Sequence, residues 1–361
     1  MPNKEEILRA LAEVKDPELG RDVVSLHMIE DVKVDRGAVS FTFNLTTPAC
    51  PLRTRLEAAA REAVASVPGV TEVAMKTGAV VYATREYEKS DVLKGVRNVI
   101  AVASGKGGVG KSTIAVNLAV ALAATGAKVG IIDADVYGPS IPLMMGVTEK
   151  PKVVDEVIIP PVAHGVKIAS LGFFYSMSTP VIWRGPLVAG AVRQLLTQVD
   201  WGELDYLIGD IPPGTGDSSL TLAQTVPLGG ILIVTTPQDA AVGVAAKALA
   251  MFKRLDVPIL GVVENMSYFV CPHCGERTEV FSSGGGRRMA SEWRVDFLGE
   301  IPLATAVRER SDSGQPITAS APESPEAQAF KELAFRVAGM VSIFAFAKTH
   351  KQARPEAAAE S

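Results

Sequence analysis

The sequence predicts an α/β protein in which a large domain built on a parallel sheet follows a small α/β domain. From residue 95 onward, short apolar runs alternate with longer amphipathic runs, which is typical of parallel strands covered by helices on both faces. Upstream of residue 84, helix-like and strand-like stretches make a shorter α/β module. A length of 361 residues accommodates both domains.

Changes in composition predict where the domains begin and end. We assign residues 1–83 to the small domain, 84–94 to a charged linker, 95–347 to the large domain, and 348–361 to a disordered tail. The small domain is predicted to contain helices at 3–14 and 52–66, strands at 29–34 and 39–45, and a final strand pair, 70–75 and 79–82, around a turn at Thr77-Gly78. The strands of the large domain are predicted at 99–103, 128–133, 206–210, 231–235 and 259–265. A last helix, with Ser324 as its N-cap, is predicted to run to 346.

Charge and hydropathy exclude several classes of function. The formal net charge of −4 gives no electrostatic basis for binding nucleic acid. The uncharged run 218–238 is interrupted by Pro227, Gly229 and Gly230, and the apolar patch 337–347 is too short to span a bilayer. The N-terminus has no apolar core of the kind found in signal peptides. We therefore expect a cytoplasmic protein that has neither a membrane nor nucleic acid as its partner.

A glycine-rich segment follows the first strand of the large domain and precedes an amphipathic run. The spacing Gly105-x-x-x-x-Gly110-Lys111-Ser112 satisfies the P-loop pattern, in which backbone N–H groups and a helix N-terminus cradle phosphates. Lys111 then reaches the β- and γ-phosphates, and the Ser112 hydroxyl ligates Mg²⁺. The large domain is therefore predicted to be a P-loop NTPase domain. The predicted nucleotide-binding residues of the segment are Gly105, Lys106, Gly107, Gly108, Val109, Gly110, Lys111, Ser112 and Thr113.

Other polar residues are predicted at the carboxyl ends of the strands, where ligands bind in such folds. Asp210 closes an apolar strand and has the position of an aspartate that holds Mg²⁺. In the following loop, the N–H of Gly214 is placed to sense a γ-phosphate. Asp135 either orients the attacking water or meets Mg²⁺, or else it and Asp133 are a pair of helix-capping carboxylates. Asn265 carries the donor and the acceptor needed to contact an adenine edge, or it is an ordinary residue of a turn.

The chain contains three cysteines, and two of them form a C-x-x-C pair. Cys271 and Cys274 are spaced as a metal-binding knuckle, which supplies half of the four ligands that zinc and most iron–sulfur clusters take. Either His273 and Cys50 complete the site, or a second copy of the chain does; an adventitious zinc knuckle or a redox pair is the alternative. Cys50, which precedes a predicted helix, is either a small buried hydrophobe or a reactive thiolate or metal ligand. The glycine-rich segment 282–286 is predicted to be a flexible loop without assigned chemistry.

Taken together, these motifs resemble the Mrp/ApbC family of P-loop ATPases that carry iron–sulfur clusters. The resemblance rests on Lys106-Gly-Gly-Val-Gly-Lys-Ser112, Asp133-Ala-Asp-Val-Tyr-Gly-Pro-Ser140, Asp210-Ile-Pro-Pro-Gly-Thr-Gly-Asp217, Glu264-Asn-Met-Ser267 and the C-x-x-C pair. The early lysine is similar to that of the deviant P-loop in the MinD/ParA-like class. The small domain resembles an iron–sulfur-assembly domain through Asp16-Pro-Glu18 and Thr46-Thr-Pro-Ala-Cys-Pro51, with His27 where that family's pattern has a glycine.

The resemblance implies a homodimer that binds ATP and Mg²⁺ and holds a [4Fe-4S] cluster between two C-x-x-C turns. It implies that Lys106 reaches the partner's nucleotide, that Lys111 and Asp135 act in hydrolysis, with Asp135 positioning the water, and that Asn265 contacts the base. The cluster would be received from an assembly scaffold and delivered to apo-proteins, with slow hydrolysis coupled to loading or release. A positioning ATPase of the MinD/ParA type, acting on membrane or DNA, and a zinc-stapled ATPase are the alternatives.

Overall fold

The small N-terminal domain is a three-stranded sheet that packs against two helices. The computed structural model of the protein describes residues 2–17, 19–84, 93, 95–135, 138–174 and 185–349. The elements of the small domain are α1 (Lys4–Leu11), β1 (Lys15–Asp16), β2 (Arg21–Asp22), β3 (Ile29–Asp35), β4 (Ala38–Leu45), α2 (Arg53–Ala65) and β5 (Glu72–Ala79). Strand β4 pairs antiparallel with β3 and parallel with β5. Asn3 and Glu6 form a reciprocal capping box that starts α1, whose Ile7 and Leu11 are fully buried.

The predicted turn at Thr77-Gly78 is wrong, because residues 72–79 form one continuous strand. Gly78 pairs with Asn44 of β4, and its φ is not in the left-handed region that a tight turn would use. A Cβ at this position would lie 2.6 Å from Oδ1 of Asn44. The glycine is therefore explained by a close cross-strand approach, which a sequence pattern does not distinguish from a turn.

The large domain contains a nine-stranded, mostly parallel sheet with helices on both faces. Its first elements are β6 (Val96–Ser104), α3 (Lys111–Ala124), β7 (Val129–Asp133), α4 (Ile141–Met144), β8 (Lys152–Val154), β9 (Val157–Ile159), β10 (Val162–Ala163), β11 (Val166–Ser170), α5 (Gly185–Gln198) and β12 (Leu204–Asp210). The remaining elements are α6 (Asp217–Thr225), β13 (Gly230–Thr235), α7 (Asp239–Arg254), β14 (Ile259–Val270), β15 (Arg277–Thr278), α8 (Gly285–Trp293), β16 (Phe297–Leu303), α9 (Thr305–Asp312), α10 (Ile317–Ser320) and α11 (Pro325–Thr349).

Seven of these strands run parallel in the order β11-β7-β12-β6-β13-β14-β16. The five strands predicted from the sequence are the central ones, and their apolar runs made them visible. The outer parallel strands β11 and β16 were not predicted. Strand β16 contains Gly299 and Pro302, and a proline is tolerated in a strand only at such an edge position.

Successive residues of β6 pack into two different apolar layers. Ile100 and Val102 belong to the layer that contains α3 and α11, whereas Val99, Ala101 and Ala103 belong to the layer that contains α5 and α7. This alternation follows from the two-residue period of a strand. Because both faces are covered, the central strands read as uninterrupted apolar runs. Asp133 and Asp210, which end β7 and β12, are buried polar residues at the carboxyl edge of this sheet.

The C-terminal helix α11 is part of the core of the protein. Its N-terminus follows the prediction, because the Ser324 hydroxyl accepts a hydrogen bond from the N–H of Ala327 at 3.2 Å. The apolar stretch near its end is buried, with Val337, Val341 and Ala345 at most 1 % exposed. No helix in the described part of the chain is long and apolar enough to cross a membrane. Helix α11 ends at Thr349, and residues 350–361 of the predicted tail lie outside the described residues.

The small domain docks on the large one through the loop that precedes α2. Ala49 is fully buried in the apolar layer of α3 and α11. The hydroxyls of Thr47 and of Tyr206 in β12 are 3.0 Å apart, and both side chains are buried. On the same side, the Ser342 hydroxyl of α11 donates to the carbonyl of Thr46 at 3.4 Å. The loop that resembles the iron–sulfur-assembly motif is therefore also the contact between the domains.

Replacing Tyr206 by Phe should weaken this contact without creating a large cavity. The variant loses the buried hydrogen bond to Thr47, and we expect a free energy of unfolding lower by about 1 kcal/mol in urea denaturation. Tyr82→Phe is the matched control, because Tyr82 is 36 % exposed. Equal effects of the two substitutions would contradict a structural role for the Thr47–Tyr206 contact.

Candidate functional site

The phosphate-binding loop connects β6 to α3. Gly108 and Gly110 have φ angles of +80° and +81°, a left-handed conformation that favours glycine. As the structure describes it, α3 has neither a side-chain cap at Gly110 nor an acidic residue in its first turn. The N–H groups at the start of this helix are therefore available to an anion. This is the phosphate cradle that the spacing predicted.

Two neighbouring elements hold this loop in place. A Cβ at Gly105 would lie 2.6 Å from the carbonyl oxygen of Val244 in α7, so only glycine permits this approach. On the other side, Nδ2 of Asn265, within β14, donates to the carbonyl of Val109 at 2.8 Å. Asn265 therefore lies against the phosphate loop, while its contact with a base stays a prediction. The loop is fixed between α7 and β14.

Lys111 lies at the centre of the site, beside two carboxylates. Its Nζ is 2.5 Å from Oδ1 of Asp210 and 3.4 Å from Oδ2 of Asp135. The Ser112 hydroxyl donates to Oδ2 of Asp210 at 2.6 Å. Lys111 is 6 % exposed and Asp210 is fully buried. The structure thus brings together four of the predicted residues, Lys111, Ser112, Asp135 and Asp210.

Burial raises the pKa of Asp210, and the nearby Lys111 ammonium and the hydrogen bonds from Lys111 and Ser112 partly offset this. A buried carboxylate is tolerated only when it is paired and hydrogen-bonded. Oxygen atoms from a carboxylate and a hydroxyl are the ligands that Mg²⁺ prefers, so Asp210 and Ser112 fit a magnesium site.

Asp133 is a second buried carboxylate at this edge of the sheet, and from the sequence it was considered only as one of a pair of helix-capping carboxylates. Its Oδ2 accepts hydrogen bonds from the N–H of Ile141 at 3.1 Å and from the Ser170 hydroxyl at 3.0 Å. It therefore joins the ends of β7 and β11 to the start of α4. Burial and the charge of Asp210 raise its pKa from 3.8 to about 7. The doubled aspartate in the sequence was the available signal.

The raised pKa of Asp133 predicts a pH dependence of stability. Because the folded protein holds this proton up to about pH 7 and the unfolded chain releases it near 3.8, Asp133 makes stability fall as the pH rises between these values. In Asp133→Asn this contribution is absent, so stability should fall less between pH 4 and pH 7 than in the unsubstituted protein. Urea denaturation at several pH values measures the difference. Asp155→Asn, at the exposed turn between β8 and β9, should leave the pH dependence unchanged; an identical profile for Asp133→Asn would contradict the assignment.

Gly214 lies beside the phosphate loop, and Lys106 lies within its first part. The N–H of Gly214 donates to the carbonyl of Ser104 at 2.8 Å, so its contact with a γ-phosphate stays a prediction that requires this bond to be exchanged. Because the Lys106 side chain is exposed, it is accessible to a second protein chain. Its contact with a partner's nucleotide stays a prediction.

The two cysteines of the C-x-x-C pair lie at the tip of a short hairpin. Strand β14 continues to Val270 and pairs there with β15. Beyond it, the N–H of Cys271 donates to Glu276 and the N–H of Gly275 donates back to Cys271, which closes a tight turn. Gly275 has a φ of +75°. This turn places Cys274 in an exposed position, with Cys271 partly exposed beside it.

The backbone around Cys271 favours the thiolate form of its side chain. Hydrogen bonds from the backbone N–H groups of Cys274 and His273, with a further one from the Cys274 side chain, lower its pKa. The thiolate is the form that binds metals.

One chain supplies two cysteine side chains to this site. No group of three or more His, Cys, Asp or Glu side chains that could hold a metal occurs among the residues that the structure describes. The possibility that His273 and Cys50 complete the site within one chain is therefore not realised in the structure. Cys50 is instead half-buried and packs against the core of the small domain.

The segment 282–286 is fixed, contrary to the prediction of a flexible loop. Gly285 and Gly286 belong to α8, and the N–H groups of Gly284 and Gly286 donate to the buried carboxylate of Glu264. Glu264 is a structural residue that sequence reasoning missed. Its place in the predicted strand and in the Glu264-Asn-Met-Ser267 motif was the available signal.

The sheet, the phosphate loop with its early lysine and the strand-end carboxylates define a P-loop NTPase of the MinD/ParA-like class. The family described as "NUBPL iron-transfer P-loop NTPase" matches residues 95–338, and the family described as "Iron-sulfur cluster assembly protein" matches residues 4–75. The chain belongs to this family of iron-transfer P-loop NTPases, which confirms the resemblance derived from its motifs.

Several relatives match most of the length of the chain. It is 48 % identical over 345 residues to an iron–sulfur cluster carrier protein of Synechocystis, covering 94 % of this chain and 98 % of that one. A carrier protein of Deinococcus radiodurans is 48 % identical, covering 93 % of this chain and 95 % of that one. The mouse iron–sulfur cluster transfer protein NUBPL is 46 % identical, with coverage of 74 % and 85 % respectively.

Solved structures agree on the fold of the large domain. A nucleotide-binding protein of Archaeoglobus fulgidus in complex with ADP is 42 % identical, with a TM-score of 0.57, and the match covers 65 % of this chain and 91 % of that one. The cell division ATPase MinD of Pyrococcus furiosus is 24 % identical, with a TM-score of 0.51, and the match covers 68 % and 98 % respectively. The similarity to the MinD structure supports the fold alone.

Proposed function

We propose that the protein is an ATP-dependent carrier that binds a [4Fe-4S] cluster between two copies of the chain and transfers it to apo-proteins. The observation that carries the proposal is the exposed Cys271–Cys274 turn, in which backbone N–H groups of His273 and Cys274 point at the sulfur of Cys271. Relatives that cover almost the whole chain are named iron–sulfur cluster carriers. Membership of the iron-transfer family favours this function over a positioning ATPase.

The nucleotide half of the proposal rests on the phosphate loop and the residues around Lys111. The N-terminus of α3 and Lys111 would hold the phosphates of ATP, and Asp210 and Ser112 would hold Mg²⁺ through oxygen atoms. The metal neutralises charge on the β- and γ-phosphates when it is bound. Asp135, whose carboxylate lies 3.4 Å from Lys111, would orient the attacking water.

The cluster half requires a homodimer. One chain supplies two thiolates, and a [4Fe-4S] cluster takes four, so a two-fold axis that brings two Cys271–Cys274 turns together completes the site. The exposed side chain of Lys106 would reach the nucleotide of the partner in the same assembly. The same partner chain would thus complete both the cluster site and the nucleotide site. ATP turnover would be slow and coupled to loading or release of the cluster.

Anaerobic reconstitution with iron and sulfide tests the cluster site. We expect about four irons and four sulfides per dimer and a cluster chromophore, because four thiolates complete one cluster. Cys271→Ala should abolish the chromophore, whereas Cys50→Ala should retain it, since Cys50 lies in the small-domain core. Zinc without sulfide in the anaerobically purified protein, or an intact chromophore in Cys271→Ala, would refute the proposal.

Substitution of the two loop lysines separates their roles. Lys111→Ala leaves Asp210 buried without its cation, so it should abolish nucleotide binding and destabilise the protein by about 3 kcal/mol. Lys106→Ala removes an exposed side chain, so stability should change by less than about 0.5 kcal/mol while ATP turnover is lost. Nucleotide titration, urea denaturation and phosphate release measure these effects. Normal hydrolysis by Lys106→Ala would show that this lysine does not act on the partner's nucleotide.

A further inference from the structure

Glu264 is a fully buried carboxylate that accepts three hydrogen bonds. Its Oε1 accepts from the Ser267 hydroxyl at 2.7 Å and from the N–H of Gly284 at 3.0 Å, and its Oε2 accepts from the N–H of Gly286 at 2.6 Å. Burying a carboxylate is costly unless such donors satisfy it. An apolar residue would fill this position at lower cost, so the carboxylate calls for an explanation.

The three donors lie at the two ends of the segment that carries the cysteines. We call residues 268–283 the cysteine loop: Ser267 immediately precedes it, and Gly284 and Gly286 follow it. Within the loop, the β14–β15 pairing and the turn at Cys271 hold the two cysteines in place. Glu264 therefore closes the base of the cysteine loop, where the chain leaves the sheet and where it returns to start α8.

The next residue of the same strand is attached to the phosphate loop. Asn265 donates to the carbonyl of Val109, and a Cβ at the neighbouring Gly110 would collide with the Asn265 amide. Side chains of consecutive residues in a strand point to opposite sides. Two consecutive residues of β14 therefore contact two different loops. Glu264 binds the ends of the cysteine loop, and Asn265 binds the phosphate loop.

We propose that Glu264 is the positioning residue that couples the phosphate loop to the cysteine loop. A nucleotide that shifts the Val109 carbonyl acts on Asn265, and the rigid link to Glu264 carries this displacement to both ends of the cysteine loop. The inference deepens the proposed function, on which it rests, because it assigns the connection between ATP and the metal-binding cysteines to one carboxylate. Glu264 touches neither nucleotide nor metal.

Alkylation of the cysteines in the full-length protein without cluster tests the coupling. Iodoacetamide is added with and without Mg²⁺ and a non-hydrolysable ATP analogue, and mass spectrometry of peptides reports the rates at Cys271 and Cys274 separately from Cys50. We expect the nucleotide to change these rates at least about fivefold in the unsubstituted protein and less than about twofold in Glu264→Gln, with nucleotide affinity retained within about threefold. The glutamine side chain has nearly the volume of glutamate, but its NH₂ group replaces an oxygen that accepts from a backbone N–H. Two donors then face each other, and that hydrogen bond is lost.

Two further variants make the result specific. Gly286→Ala strains the same link from its other end, because a Cβ there would lie 3.2 Å from Oε2 of Glu264, and it should lose the nucleotide effect as well. It also decides the question if Glu264→Gln does not fold. Glu300→Gln is the matched control, since Glu300 pairs with Arg277 of the cysteine loop at 3.0 Å on the surface, and it should behave like the unsubstituted protein.

A nucleotide effect that persists in folded Glu264→Gln or Gly286→Ala overturns the inference, and so does the absence of any nucleotide effect in the unsubstituted protein. Equal loss in Glu300→Gln overturns it too, because the coupling would then not depend on Glu264. The proposed function fails separately, when the unsubstituted protein binds no cluster on reconstitution. The alkylation rates do not depend on that outcome, so the two failures are distinguishable.

Discussion

The ion pair between Lys111 and Asp210 is the interaction on which the rest of the site depends. It joins the first residue of α3 to the last residue of β12, and both partners are buried. Because an unpaired charge at this depth costs several kcal/mol, neither residue is replaceable alone. The pair therefore fixes the phosphate loop relative to the central strands, and Asp135 and Ser112 take their places around it.

Strand β12 also connects the site to the small domain. Asp210 ends the strand at the nucleotide site, and Tyr206, four residues earlier, contacts Thr47 of the docking loop. The small domain is thus seated on the same central strand, on the layer formed by α3 and α11. The loop that resembles the iron–sulfur-assembly motif packs against the large domain, with Ala49 in the core and Cys50 half-buried.

The features that could be predicted from the sequence are those whose physical cause is local. Central parallel strands are buried on both faces, so their apolar runs are visible, and the P-loop spacing reflects backbone geometry within a few residues. The features that were missed depend on distant partners. Gly78 is set by Asn44 of another strand, Asp133 by Ser170 and Ile141, and Glu264 by glycines about 20 residues later in the chain. The local pattern hints at Asp133 and Glu264 through the apolar strands in which they lie, but it does not show the partners that fix these residues.

The turn at Cys271 and Cys274 has a consequence for ligand substitution. The two sulfur atoms of one chain are unequal: Cys271 is partly covered and hydrogen bonds from two backbone N–H groups favour its thiolate form, whereas Cys274 is exposed. In the proposed carrier, Cys274 would be the more accessible of the two ligands that each chain supplies. An incoming thiol of an acceptor protein would then meet Cys274 before Cys271, which would allow stepwise release. Such an arrangement would suit a centre that is passed on rather than kept.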